Sequence, residues 1–265
     1  MSISFLIHLR NIQMPQTSKM QNIPFSSKVD IKEIPQVKLY LEETVRLNKT
    51  WYYAKERKIP VIEEETGRLL EAICFAKQPE RVLEIGCGTG YSTYFLLKHI
   101  LLFFGSSGTI LENNKKNEKK FFYTGIDLNR DRISEARKFI NEMFVDFLGP
   151  DINDRVRLDF IHGNAIKLVP ELTGCFDMVF IDAAKLEYQA YAMALDGKLE
   201  EGCFVIADNI FYSNKVFQSN TAGHDANSVC GIRDYISYMS ENIYFRTVFL
   251  NAGDGLALSV YKKVS

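Results

Sequence analysis

The sequence predicts an α/β protein with a doubly wound, seven-stranded and mostly parallel sheet in which one strand is antiparallel. From Arg81 onward, short apolar runs alternate with stretches of helical pattern, which is typical of a parallel sheet covered by helices on both faces. Runs such as 176–181 are nearly continuous in apolar residues, as burial on both faces requires. The last two apolar runs are joined by residues 251–255, which include two glycines, and this favours a hairpin with one reversed strand.

The N-terminal part of the chain is predicted to differ from the rest. Residues 1–35 carry three prolines among polar residues, and we expect a loosely ordered extension there. The remainder, 36–265, is predicted to be a single domain. It begins with two helices within residues 36–77, which are separated by Ile59 and Pro60.

Within this domain, strands and helices are expected to alternate. The buried parallel strands are predicted at 81–86, 121–127, 155–162, 176–182 and 202–208. The helices that separate them are predicted at 91–104, 129–147, 165–172 and 186–200. After a further helix at about 229–241, the hairpin strands are expected at 244–250 and 256–262. A polar insertion at 105–120 is interpreted as a solvated loop rather than an RNA-binding one.

The composition is that of an ordinary globular protein, because 46% of the 265 residues are hydrophobic and 25% are charged. A net charge of −1 favours neither nucleic acid nor an anionic membrane surface. No apolar run approaches the roughly 18 residues that span a bilayer, and the N-terminus does not resemble a signal peptide. We therefore expect a cytoplasmic protein without a membrane partner. The five cysteines show no CxxC spacing, which favours free thiols over zinc ligands.

Four predicted strands end in polar clusters that are expected to lie together. Ligands of an open parallel sheet bind in the crevice beyond the carboxyl ends of its strands. The clusters are the glycine loop 86–90, Asp127, the segment 182–185, and the pair Asp208 and Asn209. Together they predict a cofactor site with a hard-metal site beside it, and therefore an enzyme.

The glycine loop has the spacing Gly86-x-Gly88-x-Gly90, and Glu84 lies two residues before it. Glycines let such a turn tighten and let the backbone approach a ligand. With an acid ahead of it, this loop is more typical of S-adenosylmethionine sites than of pyrophosphate sites. A tight turn without a ligand is the alternative. Asp127 can accept both hydroxyls of a ribose, or it is only the N-cap of the next helix.

Asp182, Asp208 and Asn209 end two neighbouring predicted strands and offer the oxygen ligands that Mg²⁺ or Ca²⁺ prefers. The alternative is that each aspartate caps the helix that follows it. Lys185 is placed to take a proton from a hydroxyl near the cation, or it is an ordinary solvated lysine. His162 ends the third strand without partner residues at a suitable spacing, so we interpret it as an edge histidine rather than a catalytic base.

Five segments of the sequence together resemble one family of enzymes. They are LEIGCGTGYS at 83–92, GIDLN at 125–129, FIDAAK at 180–185, ADN at 207–209 and GDGL at 253–256. In these segments the chain resembles the cation-dependent small-molecule O-methyltransferases, the family of catechol and caffeoyl-CoA O-methyltransferases, from about Ile59 to Lys262. The joint presence of FIDAAK and ADN carries the resemblance, because the glycine loop is shared with methyltransferases generally.

The resemblance implies an S-adenosylmethionine-dependent O-methyltransferase whose cofactors are S-adenosylmethionine and Mg²⁺, with Ca²⁺ or Mn²⁺ as alternative cations. It implies that Asp182, Asp208 and Asn209 bind the metal and that Lys185 and Asp182 are catalytic. Glu84 and Ser92 would lie near the methionine end of the cofactor, Asp127 at the ribose and Ala165 at the adenine. The implied cofactor contacts are Thr66, Glu84, Gly86, Gly88, Ser92, Asp127, Ala165 and Asp182.

The acceptor is the least transferable part of the resemblance. Where the family commonly has a tryptophan after ADN, this chain has Phe211 and Tyr212, which are predicted to form an altered aromatic wall against the substrate. We expect a small catechol-like acceptor, or one with vicinal oxygens, and a homodimeric enzyme. Two alternatives remain open: an O-methyltransferase of hydroxyuridine in tRNA, which the lysines within 115–120 weakly favour, and a non-catalytic nucleotide-binding regulatory protein.

Overall fold

The residues that the computed structural model describes are 35–105, 120–148, 155–219 and 223–263. The chain divides into two units, Met1–Val45 and Arg46–Ser265, and the whole sheet belongs to the second. The predicted extension lies outside the described residues except for Pro35, and so does most of the predicted insertion at 105–120.

Strands and helices alternate along the second unit as the sequence predicts. The strands are β1 (Arg81–Ile85), β2 (Phe121–Asp127), β3 (Val156–His162), β4 (Phe176–Ile181), β5 (Leu199–Asp208), β6 (Phe245–Leu250) and β7 (Leu256–Tyr261). The helices are α1 (Pro35–Glu56), α2 (Glu64–Lys77), α3 (Tyr91–Gly105), α4 (Arg130–Leu148), α5 (Ala165–Leu168), α6 (Tyr188–Ala194) and α7 (Ala226–Glu241). None of the helices in the described ranges is long and apolar enough to cross a membrane.

The seven strands form one sheet in the order β3-β2-β1-β4-β5-β7-β6. Strands β1 to β5 pair in parallel, while β7 runs antiparallel to both of its neighbours, β5 and β6. This confirms the predicted fold class and its single reversed strand. The order of the strands reverses between β1 and β4, and open α/β sheets bind their ligands at this kind of switch point.

Successive residues of the central strands face opposite sides of the sheet, and each side is covered. Met178 and Phe180 of β4 belong to an apolar cluster with residues of α2, α3 and α4. Val179 and Ile181 of the same strand belong to a second cluster with residues of α6 and α7. Burial on both faces explains why the central strands are nearly continuous in apolar residues.

The helix predicted over 186–200 is much shorter than expected. The chain forms a 3-10 turn at Lys185–Glu187, then the two-turn helix α6, and β5 begins at Leu199 rather than at 202. Leu195 and Leu199 continue a helical spacing in the sequence, but they pack as turn and strand residues. Gly197, at φ +69°, lies in the left-handed region that commonly terminates a helix, and this explains the early end.

Candidate active site

A cleft of about 710 Å³ lies at the carboxyl ends of the parallel strands. Its lining comes from the segments that follow β1, β2, β3, β4 and β5, so the polar clusters predicted from the sequence do meet. The predicted site residues that line it are Gly86, Gly88, Ser92, Asp127, Ala165, Asp182, Lys185, Asn209 and Tyr212. Four others, Thr66, Glu84, Asp208 and Phe211, are not part of the lining.

The glycine loop connects the end of β1 to both neighbouring strands. Gly86 has φ +94°, and a Cβ atom built on it would lie 2.2 Å from the carbonyl oxygen of Asp182, so only glycine fits there. Its amide donates to the carbonyl of Ile126 at 2.8 Å. Gly88 has φ +51°, and a Cβ at this position would meet nothing within 4 Å. The first glycine therefore serves the fold, whereas the second leaves space at the cleft.

Asp127 is fixed by backbone donors and still faces the cleft. Its two carboxylate oxygens accept from the amide of Gly88 at 3.1 Å and from the amide of Asn129 at 2.8 Å. Asn129, not Asp127, caps α4, because its side chain accepts from the amides of Asp131 and Arg132. An ionised carboxylate offers about four lone-pair positions, so Asp127 keeps acceptors for two further donors.

Glu84 lies behind the cleft and is fully buried. It accepts hydrogen bonds from the hydroxyls of Ser92, Thr93 and Tyr123. Burial raises its pKa to about 7, although these three hydrogen bonds oppose the shift. The structure therefore places Ser92 at the cleft and Glu84 one layer deeper, where it has no direct contact with the space that a cofactor would occupy.

Lys185 and Asp182 meet in the cleft, just after the end of β4. The Nζ atom of Lys185 donates to Asp182 Oδ1 at 2.6 Å, and both side chains are largely shielded, with exposures of 14% and 16%. The same ammonium donates to the hydroxyl of Tyr188 at 2.6 Å, and this hydroxyl donates to the backbone carbonyl of Asp208 at 3.0 Å. Tyr188 is not among the residues predicted from the sequence. Its position three residues after Lys185 places both on one helical face and was the available signal.

Asp208, at the end of β5, is 2% exposed, and its Oδ1 atom has no hydrogen-bond partner among the described residues. Burial raises its pKa to about 7, and the negative charge of Asp182 adds to the shift. The alternative that the two aspartates cap helices is not supported. The N-cap of the 3-10 turn after β4 is Ala184 and that of the turn after β5 is Asn214, and neither makes a side-chain cap.

These oxygens fit a hard cation. An unpartnered, buried carboxylate oxygen next to a second carboxylate is costly without a positive charge between them. No cluster of three or more His, Cys, Asp or Glu side chains within the described ranges is suited to hold a metal. The candidate set is smaller, with Asp182, Asp208 and the amide oxygen of Asn209, so solvent or substrate oxygens would have to complete the shell.

The loop after Asn209 forms the other wall of the cleft. Tyr212, Ser213 and Asn214 all have positive φ values, between 46° and 61°. The amide of Ser213 donates to both carboxylate oxygens of Asp254, at 2.7 and 2.8 Å. Ser213, Lys215 and Asp254 line the cleft and were missed, because nothing in the local sequence connects this loop with the hairpin 251–255.

Within this loop, Tyr212 lines the cleft, but Phe211 points elsewhere. The Phe211 ring packs 5.4 Å from the ring of Phe217 and covers Gly255, where a Cβ would lie 2.4 Å from it. The predicted aromatic wall is therefore reduced to Tyr212. Its hydroxyl donates to Asp225 at 3.1 Å, which links the loop to the residues just before α7.

The remaining predicted residues divide between the cleft and the core. Ala165 lines the cleft at the start of α5, directly after its N-cap Asn164. Thr66 is 1% exposed inside α2, and its hydroxyl has no partner among the described residues. His162 is exposed, lies 3.1 Å from the carbonyl of Leu128 and does not line the cleft, in keeping with an edge histidine.

Comparison with known proteins gives a consistent result. A sequence model of the O-methyltransferase family matches residues 33–262. A catechol O-methyltransferase of Niastella koreensis is 25% identical over 210 residues, which cover 76% of this chain and 82% of that protein. An O-methyltransferase of Aspergillus hancockii is 29% identical over 145 residues, 54% of this chain, and the match spans 48% of that relative.

Solved structures share the fold at low sequence identity. The O-methyltransferase from Bacillus cereus, determined in complex with SAH, superposes with a TM-score of 0.64 at 21% identity. The superposition covers 82% of this chain and 91% of that one. At this identity the likeness supports the seven-stranded architecture alone.

Proposed function

The chain belongs to the O-methyltransferase family, and we propose that it transfers a methyl group from S-adenosylmethionine to a hydroxyl of a small acceptor with vicinal oxygens, with a divalent cation bound. One observation carries the proposal. The same cleft contains the carboxylate of Asp127 after β2 and, after β4, the Lys185–Asp182 pair beside a buried carboxylate oxygen that has no partner among the described residues.

The residues around the glycine loop suit the methyl donor. Asp127 is fixed by two backbone amides and keeps lone pairs for the ribose hydroxyls. Gly88 leaves the space that close approach of a ligand to the backbone requires. The Bacillus cereus enzyme was determined with SAH, the product of this donor, and this supports the choice of cofactor.

Asp182, Asp208 and Asn209 would hold the cation. When bound, a divalent cation lowers the pKa of a hydroxyl that it contacts, as it does for water. Lys185 would remove or orient the proton of the acceptor hydroxyl from its position beside Asp182. As the acceptor oxygen bonds to the methyl carbon, the C–S bond breaks and the sulfur keeps the electron pair. The fixed walls of the cleft would hold oxygen and methyl in line.

The acceptor is inferred from the opposite wall. Tyr212 brings an aromatic side chain to the cleft, and Asn209 also lines it, which suits a flat ring with two neighbouring oxygens. The Niastella koreensis relative is a catechol O-methyltransferase, which points to the same acceptor class.

A methyl-transfer assay tests the proposal directly. The protein is incubated with labelled S-adenosylmethionine and a panel of catechols, and in parallel with bulk tRNA, with Mg²⁺ or with EDTA. We expect label in a catechol with Mg²⁺, none with EDTA, and recovery when Mg²⁺ is restored.

The other outcomes separate the parts of the proposal. Full turnover in EDTA contradicts the cation, and transfer to tRNA alone contradicts the small acceptor. Calorimetry that shows no binding of S-adenosylmethionine contradicts the reaction class. The alternative of a non-catalytic regulator predicts cofactor binding without transfer to any acceptor.

A further inference from the structure

A cluster of hydroxyl groups surrounds Glu84 directly behind the cleft. Thr93 donates to Glu84 Oε2 at 2.6 Å and Tyr123 donates to the same oxygen at 2.5 Å, while Ser92 donates to Oε1. Glu84, Thr93 and Tyr123 have essentially no exposed surface, whereas Ser92 reaches the cleft. Three donors on one carboxylate favour its ionised form.

The cluster determines what Ser92 can offer to a ligand. A serine hydroxyl has one proton and two lone pairs. Because its proton is directed to Glu84, the oxygen has only lone pairs left for the cleft. A group that binds there must therefore be a donor, and the ammonium of an amino acid is a donor that carries the complementary charge.

Gly125 makes room for the cluster. It lies two residues after Tyr123 on the same face of β2, and a Cβ built on it would lie 2.3 Å from the Tyr123 hydroxyl. The φ angle of Gly125 is not positive, so space rather than backbone conformation requires glycine. The Tyr123 ring itself is held against Phe160, with ring centroids 5.3 Å apart.

We propose that Tyr123 is a positioning residue for the cofactor: with Thr93, it holds Glu84 as a buried anion, and this anion fixes the Ser92 hydroxyl as an acceptor for the cofactor's ammonium group. The inference rests on the proposed function, because the ammonium belongs to the methionine end of S-adenosylmethionine. A proton on Glu84 would reverse the arrangement, since the carboxyl could then donate to Ser92.

The proposal has a defined pH dependence. Burial raises the pKa of Glu84 to about 7, and Asp182 beyond β4 raises it further. The other titratable groups that face the carboxylate are Tyr123 and the thiol of Cys87, and burial raises the pKa of both well above its ordinary value, so they stay protonated. Of Glu84, Tyr123 and Cys87, Glu84 is therefore the one that titrates near neutral pH. Binding that needs its anion strengthens as the pH rises through 7.

Calorimetry with Tyr123→Phe tests the role of the hydroxyl. One lost hydrogen bond to a charged group corresponds to roughly a tenfold change in proton affinity. The anionic fraction of Glu84 would then fall from about one half to about one tenth at pH 7. We expect S-adenosylmethionine to bind about fivefold more weakly than to the unaltered protein at pH 7, and equally well at pH 9. Because the amine of the ligand titrates equally in both experiments, its effect cancels in the ratio of the two affinities at each pH.

Two controls distinguish a loss of positioning from a general disturbance of the fold. Methylthioadenosine has the nucleoside and the sulfur but no ammonium, so Tyr123→Phe should leave its affinity unchanged. Tyr235→Phe removes a hydroxyl that is equally buried but lies outside the cluster, and it should bind both ligands like the unaltered protein. If Tyr123→Phe does not fold, Thr93→Val removes the other donor to Oε2 and is expected to act in the same direction.

Three results would overturn the inference while leaving the proposed function intact. They are an unchanged affinity for S-adenosylmethionine at pH 7, an equal loss for methylthioadenosine, and a loss that persists at pH 9. Failure of the unaltered protein to bind S-adenosylmethionine would instead overturn the proposed function, and the inference with it.

Discussion

At the end of the cleft built on β1 and β2, each carboxylate already has its donors, whereas at the end built on β4 and β5 one buried carboxylate oxygen has none. Asp127 accepts from two backbone amides and Glu84 from three hydroxyls. Asp208 Oδ1 has no partner among the described residues. The carboxylates of the first end are satisfied without a ligand, whereas at the second end the cation that we propose would satisfy the remaining oxygen.

The two ends of the cleft also differ in which residues adopt positive φ angles. At the first end the positive φ angles belong to glycines, which adopt them at little cost. At the second end Asn209, Tyr212, Ser213 and Asn214 adopt them, and each such residue costs roughly 1 kcal/mol or more. The bond from Ser213 to Asp254, 41 residues away, helps to hold this loop. Strain of this kind commonly accompanies a functional site, where it preorganises the chain.

The largest effect is expected from Asp208→Ala. If the unpartnered oxygen exists to bind a cation, its loss should lower kcat by at least about a thousandfold, since such a cation contributes several kcal/mol. The affinity for S-adenosylmethionine should stay within about twofold, because Asp208 does not line the cleft. Calorimetry and the methyl-transfer assay measure the two quantities separately. Asp196→Ala, which removes an exposed carboxylate, is the matched control. A fully active Asp208→Ala variant would contradict the proposed difference between the two ends of the cleft.

The second-largest effect is expected from a substitution at the end of the cleft built on β1 and β2. Asp127→Ala removes the proposed ribose acceptor and should weaken binding of S-adenosylmethionine by about 1.5–3 kcal/mol, the range for a charge-assisted hydrogen bond. Asn129→Ala removes the N-cap of α4 and should lower the free energy of unfolding by about 1 kcal/mol without a comparable loss of affinity. Equal affinities of the Asp127 variant and the unaltered protein would mean that Asp127 only orders the loop.

A third prediction concerns stability without cations. The folded-state pKa of Asp208 is raised to about 7 from 3.8, so the folded protein holds this proton where the unfolded chain has lost it. Its contribution to stability is complete below the unfolded value and is lost as the pH rises through 7. In EDTA at pH 8, Asp208→Asn should therefore be more stable than the unaltered protein, by about 2 kcal/mol. At pH 5 the difference should be smaller, because only about a third of the interval between the two pKa values lies below that pH. Thermal unfolding at both pH values measures it, and a variant that is less stable at pH 8 would show that the aspartate is already compensated.

Asp254→Ala tests the loop at the second end. Without its two hydrogen bonds to Asp254, the Ser213 amide no longer holds the left-handed segment, and the acceptor wall should lose its geometry. We expect the KM of the acceptor to rise about tenfold, since small misplacements in a reacting site are costly. The affinity for S-adenosylmethionine should not change. A matching loss of cofactor affinity would mean that the two ends of the cleft are not independent.

The features that the sequence could predict are those that depend on local patterns. The fold, the glycine loop and Asp127 follow from local patterns, because strand ends and glycine spacings are written in consecutive residues. The pairing of Asp182 with Asp208 followed from the alternation of strands, since adjacent parallel strands end at one edge. These predictions needed no contact between distant segments.

What the sequence could not predict depends on which way side chains point and on long-range contacts. Glu84 and Phe211 lie next to true lining residues, but the structure turns them into the core or onto the hairpin. Asp254 enters the site only because the hairpin folds back beside the end of β5. Tyr188 could have been found from its spacing to Lys185, but the bond that it donates to Asp208 could not.

The smallest effect is expected from the N-terminus. Every described residue that lines the cleft lies at or beyond Pro60, so a deletion of residues 1–35 should leave the affinity for S-adenosylmethionine within about twofold. A deletion of residues 1–58 should behave differently, because it removes Leu47 and Trp51 from the apolar cluster and exposes their neighbours. Solubility or the acceptor KM should then suffer, and light scattering should show whether the homodimer that we expect is retained. A monomer whose kinetics are unaffected by the longer deletion would contradict both the dimer and the need for these residues.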